Sequence, residues 1–200
     1  PVRHYFCDNT NTIYVLCEVM NSDGTPHETN TRSKLIGDQE DLWFGFEQEY
    51  FIQEGIGKSI LGFNRGHIEG QGKYYCGVGN GQVNGRLFVE QHMENCIMAG
   101  IEVTGTNAEV MLGQWEYQVF SKGKLKAGDD LWMSRYFLHK ISEKYNYAID
   151  LHPKPIQKGE WNGSGLHANF STDKMRNDGK EKYFMSLFNA FEVRHEAHIK

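Results

Sequence analysis

The sequence predicts an α+β fold, and three observations carry that expectation. Residues 43–52 alternate between two kinds of side chain with period two, as a half-buried strand does. Leu87 to Ala99 instead places Val89, Met93 and Ile97 at i+4 spacing, the signature of one helix face. Strands and helices then alternate without the regular strand–helix–strand rhythm of a parallel sheet.

Along the chain, Tyr14 to Met20 reads as a strand closed by the turn residues Asn21-Ser22-Asp23-Gly24. Thr29 to Lys34 begins a short helix. The strand through "GFEQEYF" (residues 45–51) presents Phe44, Phe46, Tyr50 and Ile52 on one face, interrupted by Gln48, and Glu47 and Glu49 on the other. Glu54 to Gly85 is glycine-rich and aperiodic, hence loop. Gly100 stands where the helix Leu87 to Ala99 should stop. Ile101 to Val119 contains two strands. Asp129 and Asp130 suit the cap of a helix from Leu131 to Tyr145, with Leu131, Leu138, Ile141 and Tyr145 along its buried stripe. Ala148 to Leu151 is a short strand. The glycine loop Trp161-Asn162-Gly163-Ser164-Gly165 leads into a strand from Leu166 to Ser171, and Phe184, Leu187, Phe188 and Phe191 mark a final helix.

Composition narrows the function classes. With 39% hydrophobic residues among 200, the chain can bury one sizeable core. A net charge of −5 without a dense basic run disfavours nucleic acid or an acidic membrane as partner. Cys7, Cys17, Cys76 and Cys96 are widely spaced and form no C-x-x-C, which points to free thiols in a reducing compartment. No apolar run reaches membrane-spanning length and no signal peptide is evident, so the expectation is a soluble, cytoplasmic protein.

Two carboxylate pairs carry the chemical interest. On a strand, Glu47 and Glu49 project in parallel, roughly 6.6 Å apart along the axis. In a central strand they would lose hydration and repel each other, calling for a cation; in an edge strand they would simply face solvent. Around Leu112-Gly113, a two-residue turn would set Glu109 directly opposite Glu116, a second like-charged pair, with a solvated hairpin as the alternative. His167, Asn169 and Ser171 share a face of the later strand, and Gly163 and Gly165 before them allow close backbone approach to a ligand. Four glutamates and a histidine suit Mg²⁺ or Mn²⁺, a pair of which commonly serves phosphoryl transfer.

Other motifs carry less. Gly77-x-Gly79-x-Gly81 lacks the spacing and the Lys-Ser/Thr of a phosphate loop, and His195-Glu196-Ala197-His198 is one residue short of H-E-x-x-H. Cys7 beside His4 is a chance neighbour pair.

The blocks Trp43 to Tyr50, Tyr74 to Gly79, Gly105 to Met111, Gln114-Trp115-Glu116, Pro153 to Ile156, Trp161 to Gly165 and His167-x-Asn169-Phe170-Ser171-Thr172 together resemble glutamine synthetase of the eukaryotic type (type II). The resemblance runs in order over nearly the whole chain. It implies a catalytic domain built on a curved, largely antiparallel sheet with flanking helices over residues 27–200, preceded by the end of a β-grasp domain over residues 1–26. It also implies ATP-dependent ligation of ammonia to L-glutamate through a γ-glutamyl phosphate. Carried over by motif, Glu49, Glu109 and Glu116 would hold the divalent ion nearer glutamate, and Glu47 and His167 part of a second ion at the ATP phosphates. Asn162 and Gly163 fall at the glutamate, and Trp43, Asn169 and Ser171 at the nucleotide. Family members assemble as stacked rings, so a homo-oligomer, a decamer, with active sites between subunits is implied.

Against the family pattern, only the closing strand of the β-grasp domain is present, and the segment Thr31 to Leu42 is short. The arginines that clamp phosphate and glutamate, the third ligand of the second ion and the acid/base groups have no counterpart here, so no catalytic acid or base is assigned. The chain begins without Met and ends inside a helical pattern, which leads to the expectation of a piece of a longer enzyme, inactive by itself. Two competing readings are a non-catalytic relative serving assembly and a related ligase acting on another amine, such as a polyamine.

Overall fold

The computed structural model describes residues 3–7, 12–37, 41–57, 59–63 and 73–199. Strands β1 (Arg3–Cys7) and β2 (Thr12–Leu16) form a small antiparallel sheet, with Tyr5 opposite Tyr14. A 3-10 stretch, Thr31–Leu35, follows, its first turn capped by the Asn30 side chain accepting from the Ser33 amide at 3.1 Å. The main sheet consists of β3 (Trp43–Gln53), β4 (Glu102–Ala108), β5 (Gln114–Lys122), β6 (Ala148–Asp150) and β7 (Leu166–Ser171). Its order is β4-β5-β3, with β7 and β6 sharing the far edge of β3 in tandem, and every pairing is antiparallel. Helices α1 (Arg86–Met98) and α2 (Lys124–Lys144) precede three shorter ones, α3 (Asp173–Asn177), α4 (Glu181–Glu192) and α5 (His195–Ile199). The expected α+β class is what the chain adopts, an antiparallel sheet flanked by helices.

Period two explains how one sheet serves two purposes. Tyr50 and Ile52 of β3 and Trp115, Tyr117 and Val119 of β5 point to the helices and join Phe88, Val89, Cys96, Phe137, Leu138 and Ile141 in the main core. Truncating any of the large ones, such as Phe137 at 1% exposure, would cost about 3–5 kcal/mol. Gln48, the polar interruption of that face, is buried because α2 supplies its partner: the Arg135 Nε donates to its Oε1 at 2.8 Å. The opposite face of β3 is left for Glu47 and Glu49.

Three expectations need correction. Asp129 and Asp130 do not cap α2, which begins five residues earlier, at Lys124, after Gly123 at φ +87°. Both lie inside the helix, at 3% and 0% exposure. Asp129 receives the Arg32 guanidinium at 2.7 and 2.9 Å, while Asp130 accepts from the Tyr5 and Ser121 hydroxyls at 3.0 and 2.8 Å and pairs with Lys126. Helix-forming Lys124-Leu125-Lys126-Ala127 extends the helix upstream, and tertiary partners override the capping preference of aspartate.

The early strand is also shorter than Tyr14 to Met20: it ends at Leu16, with only an isolated bridge from Met20 to Pro26. Finally, the β4–β5 connection is not a two-residue turn. Glu109 faces Gln114, its amide donating to the Gln114 carbonyl at 2.9 Å, and Asn107 rather than Glu109 stands opposite Glu116. Gly113 makes the longer turn possible: at φ +80°, a Cβ there would meet the Ile60 methyl and the Leu61 carbonyl at 2.8 Å.

Within the predicted loop 54–85, residues 58 and 64–72 lie outside the described residues, as do 38–40 of the segment Thr31 to Leu42 and the side chains of His4 and Cys7. Cys17, Cys76 and Cys96 are free thiols, as expected. Among the described residues no helix is long and apolar enough to cross a membrane.

Candidate functional site

β3 is flanked on both sides, and this decides the environment of its two carboxylates. Glu49 stands directly opposite Glu116 of β5, and Glu47 stands between Gln118 of β5 and His167 of β7. The edge-strand alternative is therefore excluded for β3. Glu109 reaches the same face through a β-bulge in β4 between Val103 and Gly105, which shifts the register by one residue. A one-residue shift exchanges the two faces of a strand, so the bulge moves Asn107 and Glu109 onto the face of Glu116 and away from the helices.

The result is two overlapping groups. Ligand atoms of Glu49, Glu109 and Glu116 lie within 4.8 Å of one another, and so do those of Glu47, Glu116 and His167. Glu116 belongs to both. The sequence reading divides the five residues between two ions as Glu49/Glu109/Glu116 and Glu47/His167; the sharing of Glu116 is new.

Neutral amides, rather than cations, hold these carboxylates. Gln114 Nε2 donates to Glu49 at 3.0 Å, Asn107 Nδ2 and the Val110 amide donate to Glu109 at 3.1 and 3.0 Å, Gln118 donates to Glu116, and Asn169 donates to Glu47. Among the described residues no lysine or arginine pairs with the four, and the nearest basic group is His167, whose Nδ1 lies 3.7 Å from Glu47. Burial, then the charges of Glu109 and Glu116, push the Glu49 carboxyl above the ordinary glutamate range. Burial likewise raises Glu116, against the opposing Gln118 hydrogen bond and with help from the Glu109 and Glu47 charges. Carboxylates oriented by amides and short of positive charge are what a hard divalent cation requires, and the donor set of oxygens with one imidazole fits Mg²⁺ or Mn²⁺. The two groups can therefore hold divalent cations.

The other expected site residues surround this face. The loop before β7 reaches it through Gln114, whose Nε2 also donates to the Gly163 carbonyl at 2.9 Å and whose Oε1 accepts from Asn162 Nδ2 at 3.3 Å. At the other end of β3, Trp43 pairs with Ser171 across the β3–β7 ladder. Arg176 of α3 links the two: its guanidinium lies 4.1 Å from the Trp43 ring centroid and donates to the Ser171 carbonyl and hydroxyl at 2.8 and 3.0 Å. Asn169 sits between, on Glu47. The Tyr74-Tyr75-Cys76 block is pinned to the end of β4 by the Cys76 amide donating to the Ala108 carbonyl at 2.9 Å, and the Cys76 thiol, then the Glu109 carboxylate, raise the Tyr75 hydroxyl.

Gln114, Gln118, Asn107 and Arg176 are the residues that sequence reasoning missed as participants. Gln114 and Gln118 share the face of Glu116 by strand alternation, a signal that could have found them, but amides give no charge signal to prompt attention, and Asn107 reaches that face only through the bulge. His195, Glu196 and His198 are exposed on α5 and join neither cation group among the described residues; the Gly77 amide donates to the Tyr74 carbonyl at 2.9 Å and its carbonyl accepts from Arg86 at 3.0 Å.

Comparison with known proteins agrees with this geometry. Residues 31–187 match the family described as glutamine synthetase, catalytic domain. Over 194 residues the chain is 48% identical to a glutamine synthetase of Bradyrhizobium diazoefficiens, covering 95% of this chain and 56% of that protein. It is 44% identical over 194 residues to a glutamine synthetase of Saccharomyces cerevisiae (94% and 52% covered) and 45% identical over 204 residues to the mitochondrial glutamine synthetase 1 of Drosophila melanogaster (99% and 50% covered). The chain thus spans about half the length of these relatives. A match of this extent, with the two carboxylate groups assembled inside it, places the chain in the glutamine synthetase catalytic-domain family.

Proposed function

We propose that this protein works as a glutamine synthetase of the eukaryotic type (type II), joining ammonia to L-glutamate at the expense of ATP through a γ-glutamyl phosphate. The observation that carries the reading is the pair of acidic groups sharing Glu116, beside the loop of Asn162 and Gly163. Glu49, Glu109 and Glu116 would hold the Mg²⁺ or Mn²⁺ nearer glutamate, and Glu47 and His167, with Glu116 in reach, the ion at the ATP phosphates. Such ions neutralise the charge that develops on the transferred phosphoryl group. The chain's own side chains position the partners: Asn162 and the Gly163 backbone hold glutamate, and Trp43, Asn169 and Ser171 form the nucleotide side, braced by Arg176. A non-catalytic relative would be expected to have lost part of this donor set, and all five residues are present.

In this reading residues 27–200 belong to a catalytic domain, and residues 1–26 close a β-grasp domain. The working enzyme is cytoplasmic and a homo-oligomer of stacked rings, a decamer, whose sites lie between subunits; the greater length of its relatives supports a longer working chain. The test is transfer of labelled ammonium by the purified full-length protein with ATP, Mg²⁺ and L-glutamate, run beside polyamines and other amines. Labelled glutamine formed in an ATP-dependent manner is expected. Preference for a polyamine, or no amide product at all, would overturn the assignment.

A further inference from the structure

Gln114 is wholly buried, at 0% exposure, on the face that carries the four glutamates. Its carboxamide has two N–H donors and a carbonyl oxygen with two acceptor positions, and all are engaged. Nε2 donates to Glu49 Oε2 at 3.0 Å and to the Gly163 carbonyl at 2.9 Å; Oε1 accepts from Asn162 Nδ2 and from the Met111 amide, both at 3.3 Å. One amide thereby joins a cation-group carboxylate to both residues of the loop and to the β4–β5 turn. We propose that Gln114 is a positioning residue that couples cation binding at Glu49 to glutamate binding at Asn162 and Gly163. This rests on the functional reading above, which names the ligands but gives Gln114 no part.

The loop has anchors of its own. The Ser164 amide donates to the Pro153 carbonyl at 2.8 Å, and the Glu49 amide donates to the Gly165 carbonyl at 3.0 Å. Gln114 is therefore not needed merely to keep the loop folded. Its particular contribution is that Glu49 and Gly163 share the same NH2 group, so displacement of either alters the geometry offered to the other. A cation that fixes the Glu49 carboxylate fixes that amide, and with it the loop. By reciprocity, glutamate held by the loop must tighten the cation to the same degree.

The experiment measures Mn²⁺ affinity of the native full-length protein with and without saturating L-glutamate, by paramagnetic resonance or calorimetry. Two variants are compared with wild type. Gln114→Glu keeps the shape and the acceptor oxygen but, ionised, replaces the donating NH2 with an acceptor and adds a charge beside Glu49, and Gln114→Met keeps the volume but loses every bond. Wild type is expected to show coupling of about fivefold or more, falling toward one in both variants. A purely structural role would lower the melting temperature and leave the coupling factor unchanged. Should Gln114→Met fail to fold, Gln114→Glu alone decides. Persistent coupling in a folded variant, or no coupling in wild type that binds both ligands, overturns the proposal. Wild type that binds Mn²⁺ but no glutamate overturns the functional reading, and this inference with it.

Discussion

Glu49 of β3 and Glu116 of β5 stand directly opposite each other in an antiparallel ladder, on the face of the sheet turned away from α1 and α2. Like charges in such a pair are destabilising, and here burial adds to the repulsion. Neither residue has a lysine or arginine to relieve it among the described residues. The arrangement is unfavourable for an isolated fold and favourable for cation binding.

The first consequence concerns pH. Glu49 and Glu116 both have folded values raised above the unfolded glutamate value of 4.5. Just above that value the native state binds more protons than the unfolded chain, so metal-free stability declines as pH rises through the window toward the raised values. Glu49→Gln should raise the melting temperature of metal-free protein at neutral pH, flatten this decline, and reduce the stabilisation given by added Mn²⁺. Thermal melts across pH, with and without Mn²⁺, check all three.

His92 works in the opposite sense. It is buried in the core at 1% exposure, and burial pushes its imidazole from 6.5 down to about 4, although its bond to the Ser134 carbonyl at 2.9 Å favours the charged form. The stability it contributes is complete above pH 6.5 and is lost as pH falls toward 4, because the unfolded chain takes up a proton that the native state refuses. Between pH 7 and pH 5 the difference between wild type and His92→Gln should change by about 2 kcal/mol. Urea unfolding of both proteins at the two pH values measures it; parallel curves would contradict the burial argument.

The Arg32–Asp129 pair ties the 3-10 stretch to α2 with two bonds, at 2.7 and 2.9 Å. Arg32→Met leaves the Asp129 carboxylate buried without its fork and should cost about 3–5 kcal/mol by chemical denaturation. Arg32→Lys should recover little, because an ammonium cannot reproduce the planar two-bond geometry.

Much of the candidate site was legible because strands have period two. Glu47 and Glu49 had to project together, and His167 and Asn169 likewise. The exact pairing was less accessible. A two-residue turn at Leu112-Gly113 puts Glu109 opposite Glu116; the real turn is longer, moving the pairing by two residues. A shift of two preserves the face, so Glu109 still reaches the cluster despite the wrong register. What sequence periodicity could not show is the bulge that keeps Glu109 on that face, nor the buried partners that turn Asp129 and Asp130 from expected caps into links between elements. Those depend on residues 97 and 125 positions distant in the chain.

The shared position of Glu116 is tested most directly by counting Mn²⁺ bound to the metal-free full-length protein, comparing Glu116→Ala, Glu47→Ala and Glu109→Ala with wild type. If both groups draw on Glu116, its removal weakens two binding events, whereas Glu47→Ala and Glu109→Ala each weaken one, and not the same one. Loss of a single event in Glu116→Ala, or two undiminished events, would contradict the overlapping pair of cation sites.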